Sequence, residues 1–182
     1  MSKRDLPLDR DIVGLMGLLK PDQKFFIQLM AISGRRSVDL LRLQWSGIRI
    51  NEKRVSAVIG KDKTHRNSLV SFTFDLDEYD LPLGKSDFIK HLKIGVKHGK
   101  GAVFKNFKKQ QVTTKSKTFR IHALRNRKAI SMLIKGSSVE DVKSKIGWAT
   151  TASLLRYTKV SINFITTFKS YSSLVKFLFE LR

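Results

Sequence analysis

His122 and Arg125 stand three residues apart in the segment FRIHALR, residues 119–125, a spacing that puts an imidazole and a guanidinium on one face of a helix. An imidazole can move a proton or donate to an anion, and a guanidinium can grip a phosphate with two parallel hydrogen bonds. A tandem Arg35-Arg36 follows the pair Ser33-Gly34, and Lys61 and Lys63 share a basic turn after Gly60. Tyr157 lies in LLRYTKV, residues 154–160. A phenol titrates near 10 in model peptides, so it attacks at neutral pH only beside a base or in a strong positive field. The chain has no Cys, which excludes disulfides, thiolate-bound zinc and Cys nucleophiles. His65, His91 and His98 share no ligand spacing with a carboxylate, so no metal site is expected.

The charge balance says what such groups would face. The 182 residues carry 36 Lys and Arg against 15 Asp and Glu, a formal net charge of +21. From Phe88 to Val139 there is no acidic residue, while fourteen Lys and Arg fall in the same stretch. A one-sign field of this length repels itself without a polyanion nearby, and phosphate backbones supply one by exchanging condensed counterions for Lys and Arg. Nucleic acid, in the form of duplex DNA, is the expected partner. A solvated basic face and an anionic membrane surface are the rival readings. At 41% hydrophobic residues with 12 Phe, the composition is that of a folded domain and excludes a disordered basic tail. No apolar run reaches the roughly 18 residues of a spanning helix, and the start, MSKRDLPLDRD, is not of signal-peptide type. A soluble protein of the cytoplasm or nucleus, with no membrane partner, is expected.

The elements that must carry these residues can be read from periodicity. Helices are expected over 9–19, from Pro21 to Ser33-Gly34, and over 36–44 with Arg36 at its start. Residues 48–74 read as a three-stranded antiparallel meander, with turns at Asn51-Glu52 and from Gly60 to His65. A helix capped by Ser86 follows, then a Lys-rich loop over 105–117, then a helix from His122 to Lys135 stopped by Gly136. Ser138 and Asp141 form a capping box for a helix to Ile146, broken by Gly147-Trp148. A short helix from Thr151 leads to Tyr157, and a final amphipathic helix carries Leu174, Val175, Phe177, Leu178 and Leu181. The fold class is α+β, mostly helical, with one small sheet; Trp45 and the Phe residues read as core.

Taken in order, SGRRSVDLLRLQW (33–45), VIGKDKTHRNSLV (58–70) and FRIHALRNRKAISMLIKGSSVEDVKSKIGWATTASLLRYTKV (119–160) resemble the two arginine boxes and the lysine-bearing hairpin of the tyrosine recombinase, or phage integrase, family. Trp148 follows Arg125 by 23 residues and Tyr157 follows Trp148 by nine, separations close to those usual there. The resemblance implies the tyrosine recombinase catalytic-domain fold and an enzyme that cleaves and rejoins DNA strands through a 3′-phosphotyrosyl intermediate. Tyr157 would be the nucleophile, Arg36 and Arg125 would hold the scissile phosphate, and His122 would assist proton transfer or donate to the phosphate. Lys61 would protonate the departing 5′-oxygen, and Trp148 would donate its indole N–H. Because the phosphotyrosine conserves bond energy and the cations are built in, no nucleotide or metal cofactor is implied.

Each role has a plainer rival. Either arginine of the tandem could enter the site, with register favouring Arg36; Asp39 would orient it or simply form a surface pair. Lys63 competes with Lys61, His122 could only cap its helix, and Trp148 and Tyr157 could be packed aromatics. Arg35, Lys63, Lys105, Lys108, Lys109, Lys115, Lys117, Arg120 and Arg127 are expected to bind DNA. The resemblance makes residues 1–182 a catalytic domain without the N-terminal core-binding domain of most members. It also implies a homo-oligomer, a tetramer on DNA, through a tail from about residue 160; packing of that tail on its own domain is the alternative. A site-specific recombinase or integrase of a mobile element or virus is the leading reading. A relaxing type IB topoisomerase and a nucleic-acid-binding module without cleavage are the others.

Overall fold

The computed structural model describes residues 6–59, 70–147 and 162–179. Along the chain these form α1 (Asp9–Gly17), α2 (Pro21–Ser33), α3 (Ser37–Leu40), β1 (Leu43–Asn51), β2 (Arg54–Ile59), β3 (Val70–Asp75), α4 (Lys85–His98), α5 (Lys109–Lys115), α6 (Ala123–Ile134), α7 (Val139–Ile146), α8 (Ile162–Thr166) and α9 (Tyr171–Phe179). The fold is mostly helical with one antiparallel sheet of order β1-β2-β3, as the sequence implies.

Helix α2 is the axis of the domain. Pro21 occupies its first turn, where a missing N–H costs nothing, and Gln23 Oε1 accepts the Lys20 backbone N–H at 3.2 Å. Every residue from Phe25 to Gly34 is buried. The sheet covers one side of it, with Val55, Ala57 and Ile59 of β2 opposite Phe74, Phe72 and Val70 of β3. Phe25 links the layers, its ring centroid 6.0 Å from Trp45 and 5.4 Å from Phe88 of α4. Offset aromatic contacts of this kind add to the area they bury.

Three sequence expectations change. Gly84 rather than Ser86 stands at the N-cap of α4, which begins at Lys85. The helix from Arg36 ends at Leu40 rather than Gln44, because Leu43-Gln44-Trp45-Ser46 alternates buried and exposed and enters β1. There the Trp45 N–H bonds to Gly101 O at 3.0 Å and the Val103 N–H to Leu43 O at 2.9 Å. Long-range pairing outweighs the helical preference of Leu41 to Gln44. The Lys-rich stretch 105–117 is not a plain loop but holds α5, anchored by the fully buried Val112.

A second core joins Ala129, Ile130 and Leu133 of α6 to Val142 and Ile146 of α7, Ile165 of α8 and Leu174, Val175 and Leu178 of α9. Leu174, Val175 and Leu178 of the C-terminal stripe therefore pack on the chain's own domain, while Phe177 is exposed.

The exposed surface of α6 is small, and its three cations, Arg125, Arg127 and Lys128, are all buried. Arg127, expected to bind DNA, is only 3% exposed: it reaches Asp9 Oδ1 at 2.7 Å and Asp80 O at 2.8 Å and lies 4.3 Å from the centroid of Tyr171. A guanidinium held this way cannot reach a phosphate, and burial without those acceptors would be prohibitive. Lys128 is likewise paired, with Glu78 Oε2 at 2.5 Å. Burial alone would raise the Glu78 pKa, but the bond and charge of Lys128, with Lys145 beyond, hold it below the usual value.

Gly34 ends α2 in the left-handed region, φ +65°, and a Cβ there would overlap Ile146 Cδ1 and press on Lys128 Cγ at 3.2 Å. The strain and the overpacking add. Gly34→Ala should lower unfolding free energy by about 2–4 kcal/mol, read as a reduced urea midpoint at unchanged m-value.

Candidate active site

The site grows from two helix ends that meet. Ser33 Oγ donates to Leu29 O at 2.6 Å and accepts the Arg35 N–H at 3.3 Å, closing the end of α2 just before the tandem arginines. Arg36 then sits at the N-cap of α3 in extended conformation, its carbonyl accepting the N–H groups of Asp39 and Leu40 at 3.0 and 3.1 Å, and its side chain is exposed. On the other side, Ser138 Oγ accepts the Asp141 N–H at 3.1 Å to open α7, as the capping pattern predicts. Gly147 closes that helix at φ +75°, its N–H bonded to Lys143 O at 2.8 Å.

Between these ends runs α6. His122 stands at its N-cap and Arg125 in its first turn, with the Arg125 N–H bonded to His122 O at 3.0 Å. Arg125 is 1% exposed, and its Nη2 donates to Ile146 O at 3.2 Å. The last carbonyl of α7 thus fixes the guanidinium, a favourable pairing of a cation with a helix C-terminus. The His122 pKa is lowered, first by partial burial and then by the charges of Arg125, Lys109 and Arg36. These cations therefore act on one point although they come from three separate stretches of chain. A neutral imidazole there can accept a proton, and the surrounding positive field suits an anion.

Beside His122 opens a groove of about 500 Å³ between α5 and the start of α6, lined by Lys109, Lys117, Arg120 and the edge of Phe119. Lys105, Lys108, Lys117 and Arg120 are exposed and Lys109 is half-buried. Lys115 is partly withdrawn, its Nζ donating to Leu18 O at 2.8 Å at the end of α1. Arg35 turns inward: Nη2 donates to Ser71 O at 3.2 Å and the guanidinium lies 5.3 Å from the Phe72 centroid. The charge of Asp39 acts on Arg35. Lys61, Lys63, Trp148 and Tyr157 lie outside the described residues.

The chain has three tyrosines, and two are unfit as nucleophiles. Tyr79 donates to Leu83 O at 2.7 Å and accepts from Gln28 at 2.9 Å, and burial pushes its pKa up to about 12. Tyr171 is buried, donates to Pro7 O at 3.2 Å and is raised further by burial. Among the described residues no three His, Asp or Glu side chains gather as a metal-ligand cluster, and no helix is long and apolar enough to cross a membrane. Sequence reasoning did not find the partner of Arg125, the Ile146 carbonyl; the capping box and Gly147 mark where α7 ends but not what that end touches.

This architecture is the tyrosine recombinase catalytic-domain fold. It is similar to the XerA recombinase, with a TM-score of 0.59 at 14% identity over 100% of this chain and 62% of that one. It is also similar to the XerH site-specific recombinase bound to palindromic difH substrate in a post-cleavage complex, with a TM-score of 0.56 at 12% identity over 87% of this chain and 49% of that one. The chain thus spans between about half and three fifths of these proteins. No curated protein matches it in sequence. The profile described as the phage integrase family matches residues 10–163, and the chain belongs to that family.

Because the folded-state pKa of His122 is lowered, its contribution to stability is complete above about pH 6.5 and is lost as pH falls through the lowered value. An NMR titration should place its midpoint below about 6.5, and Lys109→Met, which removes one cation, should move that midpoint up part of the way.

Proposed function

We propose that the chain is the catalytic domain of a site-specific DNA recombinase or integrase that cleaves and rejoins strands through a 3′-phosphotyrosyl intermediate. The observation that carries the reading is the common field of Arg36, Arg125 and Lys109 at His122, next to a cationic groove. In this scheme Arg36 and Arg125 grip the non-bridging oxygens of the scissile phosphate and stabilise the charge that grows as phosphorus becomes pentacoordinate. The Tyr157 oxygen attacks phosphorus as its proton passes toward His122 or solvent. The bond to the 5′-oxygen breaks, and that oxygen takes a proton from Lys61, with Trp148 donating to the phosphate. Rejoining is the reverse, with a 5′-hydroxyl displacing the phenolate, so neither metal nor nucleotide is consumed.

Duplex DNA is the substrate class, in keeping with the difH complex of the similar XerH. Lys105, Lys108, Lys117 and Arg120 would bear on its backbone, each by releasing counterions. Exchange between two duplexes needs several protomers; Leu174, Val175 and Leu178 of α9 fill the chain's own core, and Phe177 on its outer face is left to meet a neighbour.

A nicked suicide duplex should leave a denaturant-resistant protein–DNA adduct. Tyr157→Phe should abolish the adduct, and Arg125→Ala should slow its formation by about 10²–10³-fold. A wild-type protein that forms no adduct on a panel of duplexes, yet binds them, would overturn the proposal in favour of a binding module. Relaxation of supercoils without site preference would favour a topoisomerase.

A further inference from the structure

Arg35 is the one member of the arginine tandem that the DNA-facing reading does not accommodate. It makes three contacts with three separate segments. Its backbone belongs to the corner that presents Arg36, held by Ser33 Oγ. Its Nη2 donates to Ser71 O on β3, and its plane lies over Phe72 of the same strand. Its Nη1 lies against Gly147, where a Cβ would be only 2.7 Å away. Those segments are not arbitrary. β3 is the strand entered by the chain directly after the Lys61-bearing stretch 60–69, and Gly147 is the residue before Trp148. The neighbouring Ile146 carbonyl is the one that fixes Arg125.

We propose, resting on the recombinase reading above, that Arg35 is a positioning residue: its guanidinium ties the Arg36 corner, β3 and the Gly147 turn into one unit and so sets the relative placement of Arg36 and Arg125. Only arginine does this. A planar fork can donate along one edge, stack its face on a ring and leave a second nitrogen against a backbone, whereas a lysine ammonium is a single point charge on a flexible stem. Gly147 is the matching half: its φ of +75° disfavours a side chain, and a Cβ there would stand 2.7 Å from Nη1 and push the guanidinium aside. Spending a cation inward in a chain of net charge +21 is tolerable because Asp39 offsets part of its charge.

The test uses the full chain and three variants, Arg35→Lys, Arg35→Met and Phe72→Leu, the last keeping the arginine but removing the ring. Hydrogen exchange on the free protein should accelerate at residues 70–74 and 143–147 in both Arg35 variants, and less in Phe72→Leu, while α2 and α4 stay protected. In suicide-substrate trapping at saturating protein, both Arg35 variants should slow adduct formation by about 10²-fold through misplacement of the reacting groups, with DNA affinity by anisotropy unchanged. Unaltered exchange at both segments overturns the proposal, as does a trapping defect that merely follows weaker DNA binding. If the wild type forms no adduct, the recombinase reading falls, and the exchange measurement alone decides whether Arg35 couples the segments.

Discussion

The packing of Ile146 and Arg35 against two left-handed glycine corners governs this structure. Gly34 lets α2 stop against Ile146, and Gly147 lets α7 stop against Arg35. A Cβ at Gly34 would overlap Ile146 Cδ1, and one at Gly147 would stand 2.7 Å from Arg35 Nη1, so each glycine lets a side chain of the other segment pack against its backbone. Arg36 issues from the first corner, and the Ile146 carbonyl that holds Arg125 belongs to the second. A helix end carries unsatisfied carbonyls and partial negative charge. Giving one of them to the buried Arg125 guanidinium pairs a carbonyl with a cation where water is scarce.

That arrangement also explains how a strongly basic chain keeps a stable interior. The cations divide into two populations by what surrounds them. Arg127 and Lys128 are buried within one turn of α6 against acceptors from earlier in the chain, Asp9, Asp80 and Glu78, while Arg125 in the same turn is held by Ile146 O beside His122. Lys105, Lys108, Lys117 and Arg120 are exposed around a groove with no carboxylate in the stretch 88–139. Asp9, Glu78 and Asp80 are thus committed to buried cations, and the outward positive charge of the α5–α6 region is left for a polyanion. Desolvation decides which cation belongs to which set, since a buried charge without an acceptor costs several kcal/mol.

The field at His122 follows from the same division. Lowering an imidazole pKa by burial and by three neighbouring cations keeps it neutral near pH 7, a base rather than another positive charge. An anion drawn into that field would meet guanidiniums already oriented by packing and backbone bonds, which is the preorganisation that makes electrostatic stabilisation effective.

Much of this was legible in the chain itself. Helical and alternating periodicity gave α2, the meander, α6 and the Ser138-capped α7, because each is set by neighbours a few residues away. The order Arg36, His122-x-x-Arg125, Gly147-Trp148, Tyr157 pointed to the family before any fold was seen. What could not be read there depends on partners distant in sequence. The strand character of Leu43 to Ser46 comes from pairing with residues 101–103, and the inward course of Arg127 from Asp9 and Asp80, residues 118 and 47 positions away. The docking of α9 on its own domain and the turning of Arg35 toward β3 rather than toward solvent are of the same kind. Local spacing determines which residues can share a helix face; only the packed chain decides which charge is dehydrated and which faces water, because desolvation is a property of the surroundings and not of the residue.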